Sequence, residues 1–128
     1  MSEFVEVKTA DLSGEALNWA VAIAENLTAF VSPPQYGNPH LVCVMPEHVH
    51  RGGYRYSPST EWAQGGQLIE KRAITLAPWS PKPQLWIAEP SPDLEGSESG
   101  PTPLIAACRA IVASVLGETV SVPKELLS

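Results

Sequence analysis

The stretch Gly100-Pro101-Thr102-Pro103, followed by the apolar run from Leu104 to Leu116, predicts the main helix of the fold. Thr102 suits the N-cap position, because its hydroxyl can accept a hydrogen bond from a backbone N–H in the first turn. Pro103 then falls at the first helical position, where its missing N–H costs nothing and its fixed φ fits the helix. The fold is therefore expected to be organised around this helix.

The predicted helix is apolar on most of its surface, since Arg109 and Ser114 are its few polar interruptions, and Gly117 suits its C-terminal cap. We expect a helix this apolar to be buried on most sides, either inside its own domain or against another subunit. A first helix, predicted from Ser13 to about Leu27, should pack against it. Because a monomer would leave an apolar patch exposed, the pair of helices predicts a homodimer.

Length and composition bound the class of protein. The 128 residues are expected to form one domain, and two cysteines make no disulfide framework, which favours a reducing, cytoplasmic setting. We expect no signal peptide, and no apolar segment is long enough to span a bilayer. The formal net charge is -6 and the eight Lys and Arg side chains are scattered, which disfavours direct binding of nucleic acid.

The rest of the chain favours short strands. Apolar, aromatic and β-branched runs predict them at Phe4–Thr9, Leu41–Met45, Tyr54–Tyr56, Ile74–Leu76 and Gln84–Ala88. Thirteen prolines argue for stiff, extended connections and against a mostly helical protein. The predicted fold class is therefore α+β, with two main helices packed on a small, mostly antiparallel sheet and long Pro/Gly-rich loops.

Several segments between these elements have no clear pattern. Gly65-Gly66 is typical of a break, and Gln67 to Arg72 fits either a helical turn or a strand. Glu89 to Gly100 is acidic, rich in Ser, Pro and Gly, and lacks a hydrophobic pattern, so we expect residues 89–100 to be a mobile loop. The stretch from Val120 to Ser128 is expected to be a short tail.

Three ordered motifs resemble those of one family. They are Val7-Lys-Thr-Ala-Asp-Leu-Ser-Gly-Glu-Ala-Leu-Asn-Trp-Ala-Val-Ala22, Tyr56-Ser-Pro-Ser-Thr-Glu-Trp-Ala-Gln-Gly-Gly66 with Leu68-Ile69-Glu70, and Gly100-Pro-Thr-Pro-Leu-Ile-Ala-Ala-Cys-Arg109. Together they resemble the phage NinX-like family of small phage and prophage proteins. The resemblance implies a phage or prophage origin, and hence the cytoplasm of a bacterial host, but it implies no particular activity.

Metal and thiol chemistry are weakly supported. His40, Cys43, His48 and His50 are the candidate metal ligands, since imidazole and thiolate suit zinc. However, Cys43 lies in a predicted apolar strand, and no Cys-x-x-Cys or His-Glu-x-x-His motif is present. Cys108 in an alanine-rich helix should be an unreactive thiol, and there is no Gly-x-Ser-x-Gly elbow. We therefore expect no metal, no other cofactor and no catalytic set.

A stronger candidate is a surface that combines aromatic rings with polar groups. Its residues are Tyr54, Tyr56, Trp62, Gln64, Gly65, Gly66, Gly100 and Thr102. Flat apolar rings together with hydrogen-bonding groups are the mixture found in small-ligand pockets. The competing interpretation is structural: the glycines serve turns, and Trp62 fills the core.

Two functional hypotheses follow from the sequence. The leading one is a phage or prophage accessory protein that binds a protein or small-molecule partner without catalysis. The alternative is a small enzyme, or a nucleotide- or small-molecule-binding protein, that uses the region from Trp62 to Gly66. The missing catalytic set favours the first.

Overall fold

The computed structural model describes residues 3–37, 39–46, 52–81, 84–91 and 94–127. Within these ranges the chain forms three α-helices and eight strands, so the predicted α+β class is confirmed. In chain order, the elements are β1 (Phe4–Lys8), α1 (Gly14–Ala24), β2 (Ala29–Ser32), β3 (Leu41–Val44), β4 (Tyr54–Arg55), α2 (Trp62–Lys71), β5 (Thr75–Pro81), β6 (Gln84–Glu89), β7 (Glu98–Gly100), α3 (Pro103–Leu116) and β8 (Thr119–Pro123).

Helix α3 begins and ends where the sequence predicts. Thr102 is its N-cap, and the Oγ1 atom of Thr102 accepts a hydrogen bond from the backbone N–H of Ile105 at 3.1 Å. Pro103 is the first residue of the helix. Gly117 is the C-cap with a φ of 96°, and it donates its N–H to the carbonyl of Ala113 at 3.1 Å. Both ends of α3 are therefore fixed by local contacts.

The sides of α3 are covered within its own chain. Its buried residues are Leu104, Ala106, Ala107, Cys108, Ala110, Ile111 and Val112. Helix α1 contacts α3 as predicted, and α2 and the strands β5, β6 and β7 contact it as well. The reason that the sequence offered for a homodimer is thus wrong, because α3 does not need a second subunit to cover it. The homodimer itself stays a prediction, and it requires another surface.

Three small antiparallel sheets replace the single sheet that the sequence predicts. One pairs β1 with β8, one has the order β2-β3-β4, and one has the order β5-β6-β7. The continuous apolar run from Leu41 is the middle strand β3, and its Val42 and Val44 are completely buried. In the first sheet, Val7 lies opposite Val120. The helices share their core with all three sheets.

Several local predictions are wrong because long-range contacts decide the structure. Gly65 and Gly66 lie inside α2, which adds a third helix, so the prediction of two main helices is not confirmed. The stretch predicted as a tail contains β8, which pairs with β1 at the other end of the chain. By contrast, the proline-rich stretch from Pro78, which the sequence predicts to be extended, continues β5 as far as Pro81. The sequence also gave no prediction for β2.

Arg109, one of the few polar side chains of α3, connects three parts of the fold. Its Nε atom donates to the carbonyl of Leu12 at 2.9 Å, just before α1, and its guanidinium donates to the carbonyl of Ser99 at 2.9 Å. Ser99 lies in β7, inside the segment 89–100 that the sequence predicts to be a mobile loop. The mobility of that segment and the single-domain organisation stay predictions.

Candidate functional site

The start of α2 and the start of α3 meet at a groove of about 240 Å³. It is lined by two turns of the chain and the first residues of both helices, namely Ser59, Thr60, Trp62, Thr102, Pro103, Leu104 and Ile105. Trp62 is the first residue of α2 and is 58% exposed. Of the residues that the sequence predicts for a ligand site, Trp62 and Thr102 therefore share this groove.

The turn that precedes α2 is fixed by Asn18 of α1, which is 1% exposed. The Oδ1 atom of Asn18 accepts hydrogen bonds from the backbone N–H of Ser59 at 3.1 Å and from its hydroxyl at 2.7 Å. The Nδ2 atom of Asn18 donates to Glu15 at 3.1 Å and to the hydroxyl of Ser57 at 3.4 Å. A buried amide that is satisfied on both atoms favours a single conformation of the turn. One wall of the groove is therefore rigidly supported.

Glu15 links the same turn to β3 and β4. One carboxylate oxygen accepts the backbone N–H of Val42 at 2.8 Å, and the other accepts from the Arg55 guanidinium at 3.0 Å. The Arg55 side chain is 49% exposed, so its ion pair with Glu15 contributes little to stability by itself. The hydrogen bond to Val42 matters more, because it satisfies a donor of the buried strand.

Gln64 and Gly65, two of the predicted ligand residues, stabilise this turn. The side chain of Gln64 accepts the backbone N–H of Ser57 at 2.6 Å and donates to the carbonyl of Arg55 at 2.9 Å. A Cβ atom at Gly65 would lie 2.3 Å from the carbonyl oxygen of Pro58. The glycine is therefore required by the close approach of α2 to the turn.

The other predicted ligand residues do not line the groove. Tyr56 is buried, and burial, followed by the charge of Glu25, raises the pKa of its hydroxyl. Tyr54 is exposed in β4, and Gly66 lies in α2 beside the Trp62 ring. Gly100 is buried at the end of β7, where a Cβ atom would lie 2.9 Å from the backbone nitrogen of Ala106.

The thiols and imidazoles are dispersed. Burial raises the pKa of the Cys108 thiol to about 12, in agreement with the predicted unreactive thiol. Burial and then the charge of Glu15 raise the pKa of Cys43, against the effect of Arg55. His40 borders a separate cavity of about 420 Å³, and His48 and His50 lie outside the described residues. In the part of the chain that the structure describes, no group of three His, Cys, Asp or Glu side chains could hold a metal ion.

The sequence did not identify Asn18 and Glu15 as contributors to the site. Asn18 lies next to Leu17 in a helix segment that is otherwise apolar, and a buried amide requires hydrogen-bonding partners. This need for hydrogen-bonding partners is the signal by which Asn18 could have been identified from the sequence. Its partner Ser59 is 41 residues away, so the local pattern does not show which group it binds.

Replacing Thr102 with alanine should lower the free energy of unfolding by about 1 kcal/mol, because the backbone N–H of Ile105 loses its capping acceptor. Ser13 provides a matched control, since it is the N-cap of α1 but makes no side-chain capping hydrogen bond. Urea unfolding followed by circular dichroism measures both variants. Equal losses for Thr102→Ala and Ser13→Ala would contradict the cap at Thr102.

The fold and the groove define a small α+β protein with an exposed tryptophan at the junction of two helices. Comparison of its sequence with family profiles identifies the family to which it belongs. It matches the profile of the family described as Bacteriophage P22, NinX over residues 8–115. The chain therefore belongs to this phage family, which confirms the resemblance. Comparison with curated proteins gives no match. Among the described residues, no helix has both the length and the apolar composition needed to cross a bilayer.

The three motifs that carry the family resemblance meet in space. The first contains Glu15 and Asn18, the second contains the turn from Ser57 to Thr60 with Trp62, and the third contains Thr102. Hydrogen bonds join the first motif to the second, and the groove lies between the second and the third. The second and third motifs therefore line the groove, and the first supports the turn that forms one of its walls.

Proposed function

We propose that this phage protein is a non-enzymatic binding protein that accepts an apolar side chain of a protein partner in the groove between α2 and α3. The observation that carries the proposal is Trp62, which is 58% exposed at the start of α2, directly after a turn that Asn18 and Gln64 hold in place. Tryptophan is enriched among the residues that dominate binding energy at protein interfaces. Rigid support reduces the ordering cost of binding.

The size and lining of the groove favour a side chain over a larger ligand. Its volume of about 240 Å³ lies below the roughly 300–1,000 Å³ of typical small-molecule sites. Trp62, Pro103, Leu104 and Ile105 supply apolar contacts, and Ser59, Thr60 and Thr102 add hydroxyl groups to the lining. Such a lining suits an aliphatic or aromatic group with a polar edge.

The alternative, a nucleotide- or small-molecule-handling protein that uses Trp62 to Gly66, has less support. Gln64 already donates and accepts within the fold, and Gly65 is closed off by Pro58. At the start of α3, Pro103 lacks an N–H and Thr102 already caps Ile105, so few donors remain for an anion. We further propose action in the bacterial cytoplasm without direct contact to nucleic acid, which the scattered cations support.

Replacing Trp62 with alanine should weaken partner binding by about 30-fold or more, since truncating a hot-spot residue of an interface costs about 2 kcal/mol or more. Affinity capture from phage-infected host cells compares the wild type with Trp62→Ala and Trp79→Ala. Trp79 is the matched control, because it is 69% exposed in β5 and does not line the groove. We expect the wild type and Trp79→Ala to retain one partner protein, which is either a different protein or a second copy of this chain. Trp62→Ala should not retain it.

Two results would contradict the proposed function. Equal retention of the partner by Trp62→Ala would exclude the groove as the binding surface. A nucleotide or metabolite that raises the melting temperature and is then converted to a product would establish an enzyme. A thermal-shift screen with purified protein tests the second result directly.

A further inference from the structure

A further cavity of about 330 Å³ lies where β4, the turn before α2 and the start of α2 come together. It is lined by Arg55, Ser57, Glu61, Ala63 and Gln64. The charged members have opposite signs, and both Arg55 and Glu61 are exposed. Glu61 directly precedes Trp62 in the chain, and both are exposed, so the Trp62 ring stands next to a charged residue of this cavity.

Arg55 retains capacity for a further partner. Its described ion pair joins one guanidinium nitrogen to Glu15 at 3.0 Å, and a guanidinium carries five N–H donors. The bond to Glu15 also limits the motion of the Arg55 side chain, so a second carboxylate would meet a partly ordered cation. Glu61 supplies a carboxylate of this kind on the same surface.

The distribution of charge discriminates between possible partners. A strongly basic partner would bring its positive charges near Arg55, and a strongly acidic partner would bring its negative charges near Glu61. Both partners would therefore make unfavourable like-charge contacts. A surface that carries both signs is complementary to itself when a two-fold axis brings each charge against the opposite charge of an identical copy. Trp62, which lies beside these charges, can then enter the groove of the other copy.

We infer that the partner in the groove is a second copy of this chain. Two copies associate around a two-fold axis near Trp62, with each Trp62 in the groove of its partner and each Arg55 against the partner's Glu61. This inference rests on the proposed function, because it names the occupant of the same groove. It also gives the homodimer a surface at the start of α3 and α2, in place of the buried face of α3 around Ile111.

The dimer is tested by sedimentation equilibrium of purified protein at micromolar concentrations. The wild type and Trp79→Ala should have twice the chain mass of 13.7 kDa, and Trp62→Ala should have the mass of one chain. Circular dichroism and thermal unfolding verify that each variant is folded. Because the Trp79 variant loses a ring that is even more exposed than Trp62, a difference between the two variants reports the groove and not general hydrophobicity.

Charge reversal tests the two-fold arrangement itself. Glu61→Arg places two cations on each surface and Arg55→Glu places two anions, so each variant alone should be monomeric. An equimolar mixture of the two should restore a species of two chains, because every charge then meets its opposite. A structural effect of Arg55→Glu, which also brings a carboxylate near Glu15, would not produce a mixed dimer.

The outcomes separate this inference from the proposed function. A wild-type mass of one chain overturns the homodimer, and if capture of another protein still depends on Trp62, the proposed function stands. Dimers that persist in Trp62→Ala place the interface elsewhere and also overturn the inference. Failure of the two charge variants to combine, with both folded, contradicts the two-fold pairing of Arg55 with Glu61.

Discussion

Replacing Gly65 with alanine should lower the free energy of unfolding by about 3 kcal/mol or more, at the upper end of the cost of overpacking. The added Cβ would lie 2.3 Å from the carbonyl oxygen of Pro58 and 2.7 Å from Cδ2 of Leu104. Relief would require α2 to move away from the turn, because Asn18 holds the neighbouring Ser59 with two hydrogen bonds. The groove should distort with the fold, since Leu104 and Ser59 both line it.

The next residue provides the matched control. A Cβ at Gly66 would meet only the Trp62 ring, at 3.6 Å, which is an ordinary contact. Alanine is favoured over glycine in a helix interior by about 1 kcal/mol, so Gly66→Ala should stabilise the protein by up to that amount. Urea unfolding of the two variants should therefore give changes of opposite sign. A loss of stability of similar size at both positions would contradict the close packing of α2 on the Pro58 turn.

The parts of the fold that the sequence predicts best are those that depend on neighbours in the chain. The cap at Thr102, the proline at the first position of α3 and Gly117 at its end all act within one helical turn. The apolar run of β3 also carries its own signal, because a continuous run of strand length is typical of a buried strand. These features need no knowledge of the rest of the molecule.

The glycine pair shows why other predictions are wrong. In isolation, Gly65-Gly66 disfavours a helix, yet both residues lie within α2. The close approach of Pro58 and Leu104 selects glycine at position 65, and this contact cannot be inferred from neighbouring residues. The strand β8 is a second case, because it becomes a strand by pairing with β1 across almost the whole chain.

The residues of the candidate site also fall into two groups, those that local sequence predicts and those that depend on long-range contacts. Trp62 and Thr102 could be selected from the sequence, since an aromatic residue and a helix cap are recognised by type and position. The sequence does not show whether the Gln64 side chain binds a ligand or other residues of the protein. Its partners Ser57 and Arg55 are set by the path of the turn. Asn18 was missed for a related reason: its role appears only once the turn packs against α1.

Replacing Ile111 with alanine should lower the free energy of unfolding by roughly 2–5 kcal/mol, because Ile111 is 1% exposed and its loss leaves a cavity in the core. The matched control is Val115, one turn further along α3 and 44% exposed, where alanine should cost about 0.5 kcal/mol or less. Chemical unfolding measures both changes. A small loss at Ile111 would contradict the burial of α3 between α1 and the strands β5 to β7.

The same variant separates the core from the proposed interface. If α3 were covered by a second subunit, as the sequence alone suggested, Ile111→Ala would weaken the dimer as well as the fold. Since α3 is buried in its own chain, the variant should keep the mass of two chains at temperatures where it remains folded, whereas Trp62→Ala should lose it. Loss of the dimer in folded Ile111→Ala, with retention in Trp62→Ala, would return the interface to the apolar face of α3 around Ile111.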